Sequence, residues 1–206
     1  MKTTILCDLM TKYGSDKSNK HRHTYSEFYY NLFVSLKEET INLFELGLGT
    51  NNTDVPSNMG ASGRPGASLY GWEEFFPNAN VYGADVDSRI LFNYNRIQTF
   101  YCDQTNPDSI NTLWSNDILK DVVFDILIED GLHQFDANLT FLKNSIHKVK
   151  KGGYYITEDL HTGAAFENFQ AITEDLKKEF NLEEISVINL PLASNPWDNN
   201  VLYIKR

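Results

Sequence analysis

Two cysteines, Cys7 and Cys102, are all that this chain of 206 residues contains. They stand far apart and in no metal-type spacing, which disfavours a disulfide framework or a thiolate zinc site and leaves buried or free thiols. Basic side chains are also scarce: 18 Lys and Arg face 28 Asp and Glu, for a formal charge of −10. That balance opposes condensation on a polyphosphate, so nucleic acid and anionic membranes are not expected partners, and a small soluble ligand is. No stretch approaches the roughly 18 apolar residues of a membrane span, and the first residues hold no apolar leader-like region. The expectation is a cytoplasmic protein. Repeats and low-complexity tracts are absent too. The length predicts one domain over residues 1–206, with residues 1–40 ahead of the first strand as an N-terminal helical cap.

What is present is an alternation of strand-like and helix-like patterns from residue 41 onward, the signature of an α/β fold with a mainly parallel sheet. Strands are predicted over 41–48, 80–86, 97–102, 122–129 and 154–157. Helices with apolar residues at three- and four-residue spacing are predicted over 24–36, 68–76, 107–114, 135–149 and 165–180. Residues 182–190 and 200–205 look like two further strands with only a loop between them, which makes them an antiparallel hairpin. The predicted sheet therefore has five parallel strands plus an inserted reversed pair, with helices on both faces. Residues 50–65 read as a long loop, either a lid at the ligand end or a tolerated insertion.

Chemistry collects at the strand ends, where ligands of such folds sit. The first strand closes on Glu45-Leu46-Gly47-Leu48-Gly49, a turn where missing side chains let a backbone approach a ligand. It lacks the third glycine and immediate helix of a dinucleotide fingerprint, so a ligand with an adenosine and no phosphates is favoured. The second strand ends at Asp85-Val86-Asp87, with carboxylates suited to ribose hydroxyls, and the third at Cys102-Asp103-Gln104, suited to an adenine edge. Two apolar runs then end in Glu129-Asp130-Gly131-Leu132-His133 and in Thr157-Glu158-Asp159. Asp130, Glu158 and Asp159 can together hold a hard divalent cation through oxygen, with the His133 imidazole as a base beside it. His161 is a second candidate base. His21, His23 and His147 are expected at the surface, the first two within reach of an acceptor. Trp72 is expected in the core, and Trp197 either walls an acceptor pocket or packs at the surface.

These strand-end motifs resemble class I S-adenosylmethionine-dependent methyltransferases. Tyr13-Gly14-Ser15-Asp16-Lys17, Gly66-Ala67-Ser68-Leu69, Gly83-Ala84-Asp85, Asp130-Gly131-Leu132-His133 and Glu158-Asp159 look more narrowly like the metal-dependent sugar O-methyltransferases of macrolide biosynthesis. Similar short proteins sit in bacterial polysaccharide gene sets, where capsular polysaccharide is a target. The resemblance implies a Rossmann-like class I methyltransferase fold and S-adenosyl-L-methionine and Mg2+ as cofactors. It implies that Tyr13, Glu45, Gly47, Gly49, Ser68, Asp85, Asp103 and Gln104 bind the cofactor. It further implies that Asp130, Glu158 and Asp159 ligate the metal, and that His133 with Asp130 carries the catalysis. Leu132 stands where the family usually has Ser, and Glu129 where Asp is common. The implied acceptor is a sugar or nucleotide sugar, with assembly into a homo-oligomer left open. The rival readings are a catechol-type small-molecule O-methyltransferase and a non-catalytic protein that only binds the cofactor.

Overall fold

The protein is described from a computed structural model, in which residues 3–18, 20 and 22–206 are described. The chain opens with α1 (Ile5–Tyr13) and α2 (Tyr25–Phe33), followed by β1 (Asn42–Leu46), α3 (Ala67–Phe75) and β2 (Asn80–Asp85). A short edge hairpin follows, β3 (Asn93–Tyr94) and β4 (Ile97–Tyr101), then α4 (Pro107–Trp114), β5 (Phe124–Glu129) and α5 (Phe135–Ser145). The chain finishes with β6 (Val149–Thr157), α6 (Ala165–Phe180), β7 (Glu184–Asn189) and β8 (Asn200–Lys205). The strands form one sheet in the order β3-β4-β2-β1-β5-β6-β8-β7.

β4, β2, β1, β5 and β6 are mutually parallel. β8 lies between β6 and β7 and is antiparallel to both. The expected pair is thus reversed only in β8, because β7 follows α6 as a crossover connection and regains the direction of β6. β3 adds a two-residue antiparallel edge that the sequence does not announce. β6 also starts five residues earlier than its apolar run, at Val149, across an irregularity in its pairing with β5.

Alternate residues of each strand feed different cores, as the pleat requires. Phe44, Leu127, Tyr155 and Leu202 join Ile110, Phe141, Phe169 and Leu176 under α4, α5 and α6. Leu43, Ile126, Ile156 and Val201 join Leu6, Tyr29, Phe33 and Trp72 under α1, α2 and α3. α1 is an α-helix that the sequence reading omits. It is fixed by its ends: the Thr4 side chain accepts from the Cys7 N–H, and Gly14 takes a left-handed φ of 84° while donating to Met10 and Thr11 carbonyls. No helix among the described residues is long and apolar enough to cross a membrane.

Candidate active site

The ends of the parallel strands are tied to one another by backbone bonds just past the last sheet pair. Gly47 N–H donates to Ala84 O at 2.8 Å, Asp130 N–H to Leu46 O at 2.8 Å, and Glu158 N–H to Glu129 O at 2.8 Å. Gly47 holds φ +89°, and a Cβ there would run into the Asp130 carbonyl, so only glycine allows β1 and β5 to end this close together. A cavity of about 240 Å³ opens above these ends. Gly47, Gly49, Asp85, Asp103, Asp130, His133 and Asp159 all line it. The loop after β1 lies over it, with Val55, Pro56, Ser57 and Met59 in the wall, and the Ser57 hydroxyl donates to Leu132 O at 3.1 Å. That places the loop where the lid reading expects it.

Asp130, His133 and Asp159 form a compact group, with one donor atom from each inside 4.8 Å of the others. His133 Nε2 lies 3.1 Å from Asp130 Oδ1, and Nδ1 lies 3.6 Å from Asp159 Oδ2. Burial lowers the imidazole pKa, but the Asp130 hydrogen bond and the charges of Asp159 and Asp130 outweigh it and push His133 up to about 10. Burial also raises Asp130, yet the Lys17 ammonium and His133 overcome that and hold its carboxyl below the usual range. Asp159 is anchored by the Tyr25 hydroxyl, which donates to its Oδ1 at 2.7 Å and accepts from its N–H at 3.1 Å. Two carboxylates at this separation, with an imidazole beside them, fit a divalent cation of oxygen preference next to a base.

Behind this group the charges are fully buried. Lys17 Nζ contacts Asp130 Oδ2, lies 2.7 Å from Glu158 Oε2 and 3.6 Å from Glu45 Oε1. Tyr29 donates to the other Glu158 oxygen at 2.6 Å. Ser68 and Trp72 donate to the two Glu45 oxygens at 2.5 Å and 2.6 Å. Burial raises Glu158 well above the ordinary carboxyl value, with Lys17 opposing, since three acids around one ammonium do not all ionise.

No protein-family model matches the chain. Over 157 residues it is 31% identical to the 8-demethyl-8-alpha-L-rhamnosyl tetracenomycin-C 2'-O-methyltransferase of Streptomyces olivaceus, covering 76% of this chain and 38% of that protein. Over 140 residues it is 29% identical to the demethylmacrocin O-methyltransferase of Streptomyces fradiae, covering 68% of this chain and 32% of that one. The chain is homologous to these sugar O-methyltransferases. It spans well under half of their length. Its structure superposes on the MycE methyltransferase of the mycinamycin biosynthetic pathway, solved with Mg, SAH and mycinamycin VI. That match has a TM-score of 0.74 at 19% identity and covers 99% of this chain and 55% of that one. The fold is therefore the class I methyltransferase fold.

Several residues of this methyltransferase-like chain fall where the strand-end reading puts them. Gly47, Gly49, Asp85, Asp103, Gln104, Asp130, His133 and Asp159 all line the cavity. Asp85 accepts the Leu48 N–H at 2.7 Å and the Asp87 N–H at 2.8 Å, which ties the turn after β1 to the end of β2. Gln104 spends its amide on the loops, donating to Glu129 Oε1 at 3.0 Å and accepting the Leu132 N–H at 2.7 Å.

Others are not brought there. Glu45 and Ser68 bond each other inside the core and tie β1 to α3, because Glu45 points to the α3 face of the sheet. Tyr13 donates to Glu74 at 2.5 Å in a separate groove with Tyr70, and Asp16 of the same motif lines the cavity instead. Glu158 turns to Lys17 and Tyr29, away from the Asp130, His133 and Asp159 group. His161 is exposed and bonds Thr162 O at 2.8 Å. Trp197 is 64% exposed and Trp72 is buried. His147 is at the surface as expected, and His21 lies outside the described residues. His23 is not at the surface: it is buried, stacks on Tyr25 at 4.7 Å, and places Nδ1 3.5 Å from Asp159 Oδ1. Sequence reasoning gave no role to Tyr25 or Tyr29 and read Lys17 only as the last residue of the Tyr13-Gly14-Ser15-Asp16-Lys17 motif. The signal for the two tyrosines was their i, i+4 spacing on α2, which puts both on one face.

Proposed function

We propose that this chain is an S-adenosylmethionine-dependent, divalent-cation-assisted O-methyltransferase acting on a sugar hydroxyl of a small glycosylated acceptor, with residues 1–40 closing its site. The observation that carries this reading is that Asp130, Asp159 and His133, grouped within reach of one cation, line the same cavity as Asp85, Asp103 and a glycine turn. The relatives named above are a 2'-O-methyltransferase of a rhamnosyl tetracenomycin and a demethylmacrocin O-methyltransferase, and the superposed structure holds Mg and SAH.

The cavity suits these ligands electrostatically. Five carboxylates line it, from Asp16, Asp85, Asp103, Asp130 and Asp159, and no Lys or Arg is among the lining residues. A cationic sulfonium and a divalent ion are drawn in, and a pyrophosphate is repelled. That favours a neutral glycoside over a nucleotide sugar as acceptor.

A bound cation supplies Lewis acidity that lowers the pKa of a coordinated hydroxyl, and the cofactor supplies the methyl group. Asp130 and Asp159 would hold the cation, and their charge, now shared with it, would raise His133 less. His133, with Nδ1 towards Asp159, would then be free to accept the hydroxyl proton at Nε2. Tyr25 and His23 keep Asp159 in place during the transfer. The loop carrying Val55, Pro56 and Met59 excludes water from the reacting end.

The test is methyl transfer from labelled S-adenosylmethionine to a panel of glycosides, nucleotide sugars, polysaccharide fragments and catechols. Product on a glycoside, lost on chelation and reduced roughly 10²- to 10⁴-fold in His133→Ala, is the expected result. Methylation of catechols alone would replace the acceptor class. Cofactor binding without product on any acceptor would make the chain a binding protein.

A further inference from the structure

Lys17 takes no part in the proton or methyl transfer, yet it is among the most deeply buried side chains, 2% exposed. It enters from the segment between α1 and α2, where its N–H donates to Ser15 Oγ at 3.3 Å and its carbonyl accepts the Ser26 N–H at 2.9 Å. A lone ammonium in such a place costs several kcal/mol and normally gives up its proton. Here three carboxylates converge on it, from Asp130 on β5's end, Glu158 after β6 and Glu45 in β1. The remaining oxygens of Glu158 and Glu45 are already taken by Tyr29 and Trp72, and Ser68 donates to the Glu45 oxygen that faces Lys17.

Asp130 is the shared member. Its Oδ2 faces Lys17 and its Oδ1 faces His133 at 3.1 Å, so one carboxylate separates an internal cation from the cavity. We propose that Lys17 is a positioning residue, a built-in cation that pins Asp130, Glu158 and Glu45 on the buried side and confines the site to a single divalent ion between Asp130 and Asp159. This rests on the divalent-cation reading of the site. An ammonium in contact with Asp130 repels a further divalent ion from the deep side, and the aspartate it orients turns its other oxygen, Oδ1, to the His133 side. With the ammonium removed, three carboxylates face a vacated space and make an oxygen site for another divalent ion.

The experiment counts bound manganese by the loss of the free-ion electron paramagnetic resonance signal, on chelator-treated protein without cofactor or acceptor. Wild type and Lys17→Arg are expected to bind a single ion, and Lys17→Ala twice as much. Lys17→Met, which fills the space without charge, is expected to bind a single ion. A folded Lys17→Ala that binds the same amount as wild type overturns the proposal and leaves the cation site standing. Wild type that binds none overturns the cation reading itself, and this proposal with it. Should Lys17→Ala lack its far-ultraviolet helix signal without metal, manganese added on refolding is expected to restore it, and failure to do so also overturns the proposal.

Discussion

His133 holds φ +59° and Asp159 φ +53°, left-handed conformations that non-glycine residues rarely adopt. Such strain survives only where the surroundings over-determine it, and here both residues belong to the group that faces the cavity. The His133 imidazole, pushed up to about 10, is a cation in the metal-free protein. A raised folded value means that its stabilisation is fully present below the ordinary 6.5 and is lost as pH rises through about 10. Metal-free wild type is therefore expected to lose stability across that window in urea titrations, with the slope reduced in His133→Asn. The C2 proton resonance of His133 is expected to titrate near 10 without metal and far lower with magnesium. A resonance titrating near 6.5 in both states would contradict this. Cys102 offers a simpler check. Burial pushes its thiol up to about 12, so iodoacetamide at pH 8 is expected to leave it unmodified in the native protein and to label it in urea.

Among the elements, the turn after β1 is the joint on which the site depends. In Gly47→Ala the left-handed backbone costs roughly 1–2 kcal/mol, and the new methyl meets the Asp130 carbonyl as well. A loss of about 2 kcal/mol or more is expected in urea unfolding, together with weaker cation binding, because β5's end must move. Unchanged stability would show that the two strand ends are not packed as described. The β1, β2 and β5 strands were legible because strands covered on both faces read as apolar runs. α4 and α6 were legible to their ends, helped by Pro107 in the first turn of α4 and by amphipathic spacing. The start of β6, with Lys150, Lys151 and Gly152, offers no apolar run, and β3 exists only through its pairing with β4. At the site, Asp130, His133 and Asp159 were legible as strand-end residues. The divergence of Glu158 from its neighbour Asp159 was not, since it is set by Lys17 and Tyr29, which lie more than a hundred positions away in the chain. The burial of His23 depends in the same way on Tyr25 and Asp159.

At the scale of the whole molecule, the site is a junction. β5 and β6 bring Asp130, His133 and Asp159 from the sheet, the N-terminal segment brings Lys17, Tyr25 and Tyr29, and the loop after β1 covers the opening. A ligand that binds only when these parts are assembled stabilises the entire fold. At a concentration about 100 times its dissociation constant the gain is roughly 2.7 kcal/mol. Magnesium is therefore expected to raise the Tm of wild type, and Asp130→Asn is expected to abolish that rise. Phe169→Ala, deep in the core under α6, provides the contrast. It should lower the Tm through a loss of about 3–5 kcal/mol yet keep the magnesium-dependent rise, since the cavity it creates lies away from the carboxylates. With a formal charge of −10 and five carboxylates lining the cavity, the attraction has a long-range part, so the rise should shrink as sodium chloride is increased from low to physiological ionic strength. Scanning calorimetry at fixed magnesium and varied salt tests both statements. A wild-type Tm indifferent to magnesium, or a rise that persists in Asp130→Asn, would remove the cation from between Asp130 and Asp159.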